Sequence, residues 1–183
     1  MKFKPSRRKK DSLIVEIKPD DAGVIAKIAG PITDLKKVLV PIDFSECSKH
    51  ALRYAVAFAK QFSARIVLLA VIEDNRTAFE YGNPEYVENL KKRTARYEAE
   101  LNALAKQYLG KIRNERIVAT GRPFEVIVQT AKELDIDLIV IATHGYASSR
   151  AELGSTTERV IRYAGCPVLV VREKERDFVP RED

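Results

Sequence analysis

Ile66-Val67-Leu68-Leu69-Ala70-Val71-Ile72 is an unbroken run of seven apolar residues between Arg65 and Glu73. It is short for a helix and has no polar alternation, so it predicts a strand buried on both faces. Residues 38–40, 138–141 and 168–171 repeat the pattern. A fifth segment, residues 112–119, contains Arg113, Asn114, Glu115 and Arg116. A strand that polar belongs at a sheet edge. Helical periods lie between the runs. Ser45 is placed to cap a helix with Leu52, Ala55, Ala59 and Phe62 on one face. Pro84 opens a long helix carrying Val87, Leu90, Tyr97, Leu101, Leu104 and Tyr108, which ends near Gly110. Pro123 opens another with Ile127, Thr130, Ala131 and Leu134 on one side. Ser155 or Thr156 starts the last, with Val160, Ile161 and Ala164, and Gly165 closes it. Doubly buried strands alternating with helices predict an α/β fold: a doubly wound, open, five-stranded parallel sheet with helices on both faces. Ligands of such sheets bind beyond the C-terminal strand ends, where the strand order reverses. Functional residues are therefore expected just after the first, second and fourth strands.

The charge balance restricts the partners. The chain carries 32 Lys+Arg against 26 Asp+Glu. Lys2, Lys4, Arg7, Arg8, Lys9 and Lys10 precede the first acid. Residues 11–183 are consequently neutral overall, and the excess of six positive charges belongs to a tail, not to a basic folded surface. Nucleic acid is therefore a candidate partner only through residues 1–10. Their single aromatic, Phe3, does not make a stacking platform, and a disordered solubilising tail is the plainer reading. No apolar run reaches the roughly 18 residues of a membrane span. Glu16 interrupts residues 13–15 before they could form an export signal. Two cysteines and two histidines, with no Cys-x-x-Cys, argue against a disulfide scaffold and a dedicated transition-metal site. A cytoplasmic location is expected. So are three regions: a partly disordered basic extension (1–34) with a short strand near 13–17, a domain over 35–172, and a charged tail (173–183).

Three strand ends carry candidate chemistry. At Val40-Pro41-Ile42-Asp43, the Asp43 carboxylate is placed to accept from a base or ribose, or to help Ser45 cap the next helix. At Leu69-Ala70-Val71-Ile72, main-chain groups are able to read a purine edge without any special side chain. The third segment, residues 142–157, runs Ala-Thr-His-Gly-Tyr-Ala-Ser-Ser-Arg-Ala-Glu-Leu-Gly-Ser-Thr-Thr. It ends at a helix N-terminus with three hydroxyls, Ser155, Thr156 and Thr157, and contains Gly145 and Gly154. Backbone amides, the positive end of a helix and short donors suit phosphate, though a turn with a Ser/Thr cap explains the same residues. Neither a Walker A motif nor a Gly-x-Gly-x-x-Gly fingerprint is present.

Four segments together resemble the universal stress protein family: residues 37–45 (Lys-Val-Leu-Val-Pro-Ile-Asp-Phe-Ser), 142–146 (Ala-Thr-His-Gly-Tyr), 153–160 (Leu-Gly-Ser-Thr-Thr-Glu-Arg-Val) and 165–171 (Gly-Cys-Pro-Val-Leu-Val-Val). They occur in the family's order and cover essentially residues 35–172. The resemblance implies a strand order of 3-2-1-4-5 and a homodimer, formed through the last strand, Val168–Val171. It also implies an adenine nucleotide, ATP in some members, with Mg2+ accompanying the phosphates. The nucleotide-binding residues it implies are Pro41, Ile42, Asp43, Val71, Ile141, Ala142, Gly145, Gly154, Ser155 and Thr156. Asp43 and the Val71 main chain would hold adenine. Ala142 and Gly145 would hold ribose and phosphates, and residues 154–156 the phosphate tail. The chain departs from the binders' Gly-x-x-Gly-x9-Gly-[Ser/Thr] pattern twice: Ala142 replaces the first glycine, and only eight residues, 146–153, separate Gly145 from Gly154. A nucleotide-free interaction dimer is the alternative that the shortened spacing favours.

The remaining reactive side chains read as structural. His144 is expected to bond across its loop, and no sequence neighbour orients it as a base. His50 is expected to be solvated. Cys47 lies in a helix's first turn, where a redox role competes with simple packing, and Cys166 reads as packing. Lys91, Lys92, Arg93 and Arg96 form a solvated helix face. Nothing activates a water, so turnover of ATP would be slow at most.

Overall fold

The computed structural model describes residues 2–5, 13–16, 35–74, 83–143 and 153–172. The chain divides into two units, Met1–Asp34 and Leu35–Asp183. In the first, β1 (Lys2–Pro5) pairs antiparallel with β2 (Leu13–Glu16), placing Phe3 opposite Val15. A strand is found where residues 13–17 predict one. The basic tail, however, supplies its partner strand, which charge composition conceals. Arg7, Arg8, Lys9 and Lys10 lie outside the described residues.

In the second unit five strands form one sheet: β3 (Lys37–Pro41), β4 (Arg65–Glu73), β5 (Asn114–Gly121), β6 (Leu138–Ala142) and β7 (Val168–Val171). Their order is β5-β4-β3-β6-β7, and every neighbouring pair is parallel. Counted from β3, this is the 3-2-1-4-5 order expected, with the polar run β5 at one edge and β7 at the other. The helices are α1 (Glu46–Phe62), α2 (Pro84–Leu104), α3 (Pro123–Glu133) and α4 (Ser155–Tyr163). Alternate strand residues feed two separate cores. Val38, Val40, Ile66, Leu68 and Val140 pack with Leu52 and Ala55 of α1 and Leu101 and Leu104 of α2. Leu39, Val67, Leu69, Ile139 and Ile141 pack with Ile127 and Ala131 of α3 and Val160 of α4. This two-sided burial is why the strand sequences lack alternation.

Local chemistry sets the helix ends. The Ser45 hydroxyl oxygen accepts from Ser48 N at 3.1 Å and caps α1. Asn83 Oδ1 accepts from Glu85 N at 2.9 Å and caps α2 directly before Pro84. After α2 the chain continues through a π-helical turn, Ala105–Leu109, and breaks at Gly110, whose φ of +52° suits glycine. At the opposite end of the sheet, Asp137 Oδ2 accepts from Lys36 N (2.9 Å) and Lys37 N (2.8 Å), fixing the start of β3 against β6.

Four sequence expectations shift. Tyr86, not Val87, is the buried residue in the first turn of α2; its hydroxyl donates to Asp74 and sets the register of the stripe. Phe62, in the last turn of α1, is exposed and lies outside the core. Ile161 falls off the buried line through Thr157 and Val160 and is exposed. Gly165 does not close α4. The helix leaves through Ala164 in an extended conformation (ψ 138°), so no left-handed cap is needed.

Candidate functional site

Unequal strand lengths open a notch at the C-terminal end of the sheet. The β3–β4 ladder stops with Pro41 opposite Leu69, and Ile42 N donates to Leu69 O at 2.8 Å. β4 continues beside β5 as far as Glu73 opposite Gly121. The chain leaves β3 through Asp43 and Phe44. Phe44 has a φ of +66°, costly for a bulky residue, and its ring packs edge-on to Tyr97 at 5.2 Å.

Main-chain parity says what faces the notch. Arg65 N donates to Lys36 O and Leu69 O accepts from Ile42 N, so these odd-numbered residues point toward β3. Ile66 N donates to Arg113 O and Asp74 N to Gly121 O, so even-numbered residues point toward β5. A residue of a parallel strand points its N–H and C=O to the same side. Val71 therefore aims one donor and one acceptor at the space that β3 has vacated.

The opposite wall is built by Thr143, which the sequence reading missed. Thr143 N donates to Val171 O at 2.9 Å, and Thr143 O accepts from Gly154 N at 2.8 Å. Thr157 Oγ1 donates to Ala142 O at 2.8 Å. These bonds hold the first turn of α4 beyond the end of β6. Thr157 is thus buried and turned inward, so the helix start presents two hydroxyls, Ser155 and Thr156, not three. Gly154 precedes α4 in an ordinary extended conformation (φ −62°, ψ 143°), and no side chain caps this helix. Its first-turn amides have no intrahelical acceptor and suit an anion.

The other sequence-selected residues take these places. Ile42, Ile141 and Ala142 are buried at the strand ends, and Pro41 and Val71 are half-buried. Asp43 is exposed; its Oδ1 accepts from Ser45 N at 3.1 Å and Ser45 Oγ at 2.6 Å. The capping role is therefore observed, and a ligand at Asp43 would meet a carboxylate already oriented by Ser45. Gly145, His144 and residues 146–152 lie outside the described residues. His50 is tied down: its Nδ1 lies 3.0 Å from Arg172 O and its ring 5.3 Å from Tyr54. The residue is partly exposed, so this bond adds a contact to the solvated side chain expected.

Beside the α4 start lies a cleft of about 160 Å³, lined by Glu73, Arg122, Pro123, Phe124, Ser155, Thr156 and Arg159. Only Ser155 and Thr156 among these are site candidates from the sequence. Arg122 and Arg159 are 37 residues apart and belong to no shared motif. The β5–α3 and β6–α4 connections bring them together.

Cys47 is buried, its Sγ 3.9 Å from Thr143 Oγ1 and from Val171 O. Cys166 is partly buried. Burial pushes its thiol up from the usual range, the Asp137 charge adds to this, and the Ile139 backbone bond opposes it. Alkylation requires thiolate. The labelling rate of Cys166 by iodoacetamide, followed by mass spectrometry, should therefore rise at higher pH than that of a free cysteine. Asp137→Asn should move the rise to lower pH. Among the described residues, no three His, Cys, Asp or Glu side chains gather around one ion position. No described helix is long and apolar enough to cross a membrane.

Comparison with known proteins places this geometry. The pattern of the universal stress protein family matches residues 34–172. A universal stress protein of Thermus aquaticus is 36% identical over 138 residues, covering 75% of this chain and 98% of that protein. One from Methanocaldococcus jannaschii is 32% identical over 155 residues, covering 76% and 96%. The solved structure of that archaeal protein aligns with a TM-score of 0.68 over 79% of this chain and 100% of its own. A universal stress protein solved in complex with cAMP is 25% identical, with a TM-score of 0.53 over 75% and 96% of the two chains.

Proposed function

The chain belongs to the universal stress protein family, and from that premise we propose that it binds an adenine nucleotide in the notch between β4 and α4. The overhang of β4 carries this reading. Val71 offers an N–H and a C=O where β3 has ended, a donor–acceptor pair that suits the edge of adenine. Asp43 lies at the vacated strand end, and the uncapped start of α4 takes the phosphates through the amides and hydroxyls of Ser155 and Thr156. Ala142, buried at the end of β6, completes the wall. With ATP, Mg2+ is held by the phosphate oxygens together with these two hydroxyls. The relative solved with cAMP supports an adenine ligand at this fold. The protein acts in the cytoplasm as a stress-response binding protein, not a fast enzyme. Calorimetric titration with AMP, ATP and GTP in the presence of Mg2+ tests the reading. Adenine nucleotides should bind in the micromolar range and GTP more weakly. No heat at millimolar adenine nucleotide would defeat it and favour the interaction dimer that the shortened 146–153 spacing suggests.

The same proposal makes the protein a homodimer through β7. This edge strand is wholly apolar, Val168-Leu169-Val170-Val171, and pairs on one side with β6. An apolar open edge favours a second strand. Val170→Lys should lower the mass seen by light scattering from dimer toward monomer. An unchanged mass would remove this interface.

A further inference from the structure

We propose that Arg159 and Arg122 form a charge-reading cleft that takes the terminal phosphates of a nucleoside polyphosphate, so that this chain prefers tri- and diphosphates to monophosphates. The inference rests on the adenine-nucleotide reading and extends that site across Ser155 and Thr156, which line both.

Arg159 carries most of the case. Its guanidinium lies 4.8 Å from the centre of the Phe124 ring. A cation over a ring is held by the ring's quadrupole and not by a hydrogen-bond acceptor, so this contact does not consume the guanidinium's N–H donors. Among the described residues it forms no ion pair. The neighbouring Glu158 is engaged instead with Arg162 at 3.0 Å.

The rest of the cleft has matching chemistry. Arg122 sits at the N-cap of α3, where no side-chain bond caps the helix, and its Nη1 lies 3.3 Å from Glu125 Oε1. Two uncapped helix starts and two guanidinium groups thus border one space of about 160 Å³. Glu73 is the opposing charge in the lining. Ser155 and Thr156 line the cleft together with the arginines, so each further phosphate of a chain held at the α4 start brings more negative charge to Arg122 and Arg159. The arginines therefore act on the number of phosphates and not on the base.

Titration of the full chain with AMP, ADP and ATP in the presence of Mg2+ tests this. Wild type should bind ATP at least about tenfold more tightly than AMP, with ADP between, a typical strength for charge-assisted phosphate bonds. Arg159→Gln and Arg122→Gln should each cut the ATP-to-AMP affinity ratio several-fold, and the double variant should bring it close to one. Glu73→Gln should raise the ratio. Thermal melting of each variant checks that the fold persists. Equal affinities for AMP and ATP in wild type, or arginine variants that lower both affinities in parallel, would overturn the inference while leaving the nucleotide site standing. No binding of any adenine nucleotide would overturn the proposed function, and this inference with it.

Discussion

Leu68→Ala and Leu69→Ala are each expected to destabilise the protein by roughly 2–5 kcal/mol, read as a fall in the urea midpoint at fixed protein concentration. Both side chains are fully buried, yet they belong to different cores. Leu68 packs on the α1–α2 side and Leu69 on the α3–α4 side. β4 is held by β3 on one flank and β5 on the other, so the backbone around a truncated side chain has little freedom to collapse. The cavity therefore persists and adds to the lost transfer energy. The pair is more informative than either variant alone. In a sheet covered on one face, adjacent residues would give one large and one small loss. Two large losses follow only from helices on both faces. A loss well under ~1 kcal/mol at either position would contradict the double layer.

The same physics decides how much was legible beforehand. Burial on both faces removes polar alternation, so 66–72, 138–141 and 168–171 stand out in the sequence, and the polar residues of 113–116 mark the edge. The cap at Ser45, the helix opening at Pro84 and the break at Gly110 depend on neighbours within a few residues, and they too are readable. Faces of helices are harder. Tyr86 and Val87 are adjacent and both apolar, and only the bond from Tyr86 to Asp74 selects which turns inward. The site divides in the same way. Asp43 and the α4 start follow strand ends, where topology concentrates function. Thr143 gives no such signal, because its role lies in main-chain bonds to Val171 and Gly154. Arg122 and Arg159 become neighbours only once α3 and α4 are laid on the same face of the sheet. Thr157 resembled a ligand hydroxyl in sequence, because nothing local shows that Ala142 O lies within 2.8 Å of it.

Ser155→Asp should abolish nucleotide binding while leaving the fold intact or slightly more stable, and the opposite signs make it the sharpest test of the α4 start. Ser155 is the first residue of α4, is exposed, and follows a Gly154 that no side chain caps. A carboxylate in the first turn of a helix interacts favourably with its dipole, by about 0.3–1 kcal/mol. Thermal unfolding should therefore stay level or move upward. The same carboxylate stands where a phosphate is proposed to lie, competes for the same amides and repels the ligand's charge. Loss of the hydroxyl and like-charge repulsion together should weaken ATP by roughly a hundredfold or more, since each ~1.4 kcal/mol is tenfold. A variant that lost binding through unfolding would show a lowered melting temperature, so the combination of raised stability and absent binding has one explanation, namely an anion at the α4 amides. Ser155→Ala separates the two contributions. It removes the hydroxyl without adding charge, and should cost ATP affinity only several-fold, as one hydrogen bond does. If Ser155→Asp binds ATP as well as wild type, the phosphates are not at this helix, and the notch between β4 and α4 must be given a different ligand.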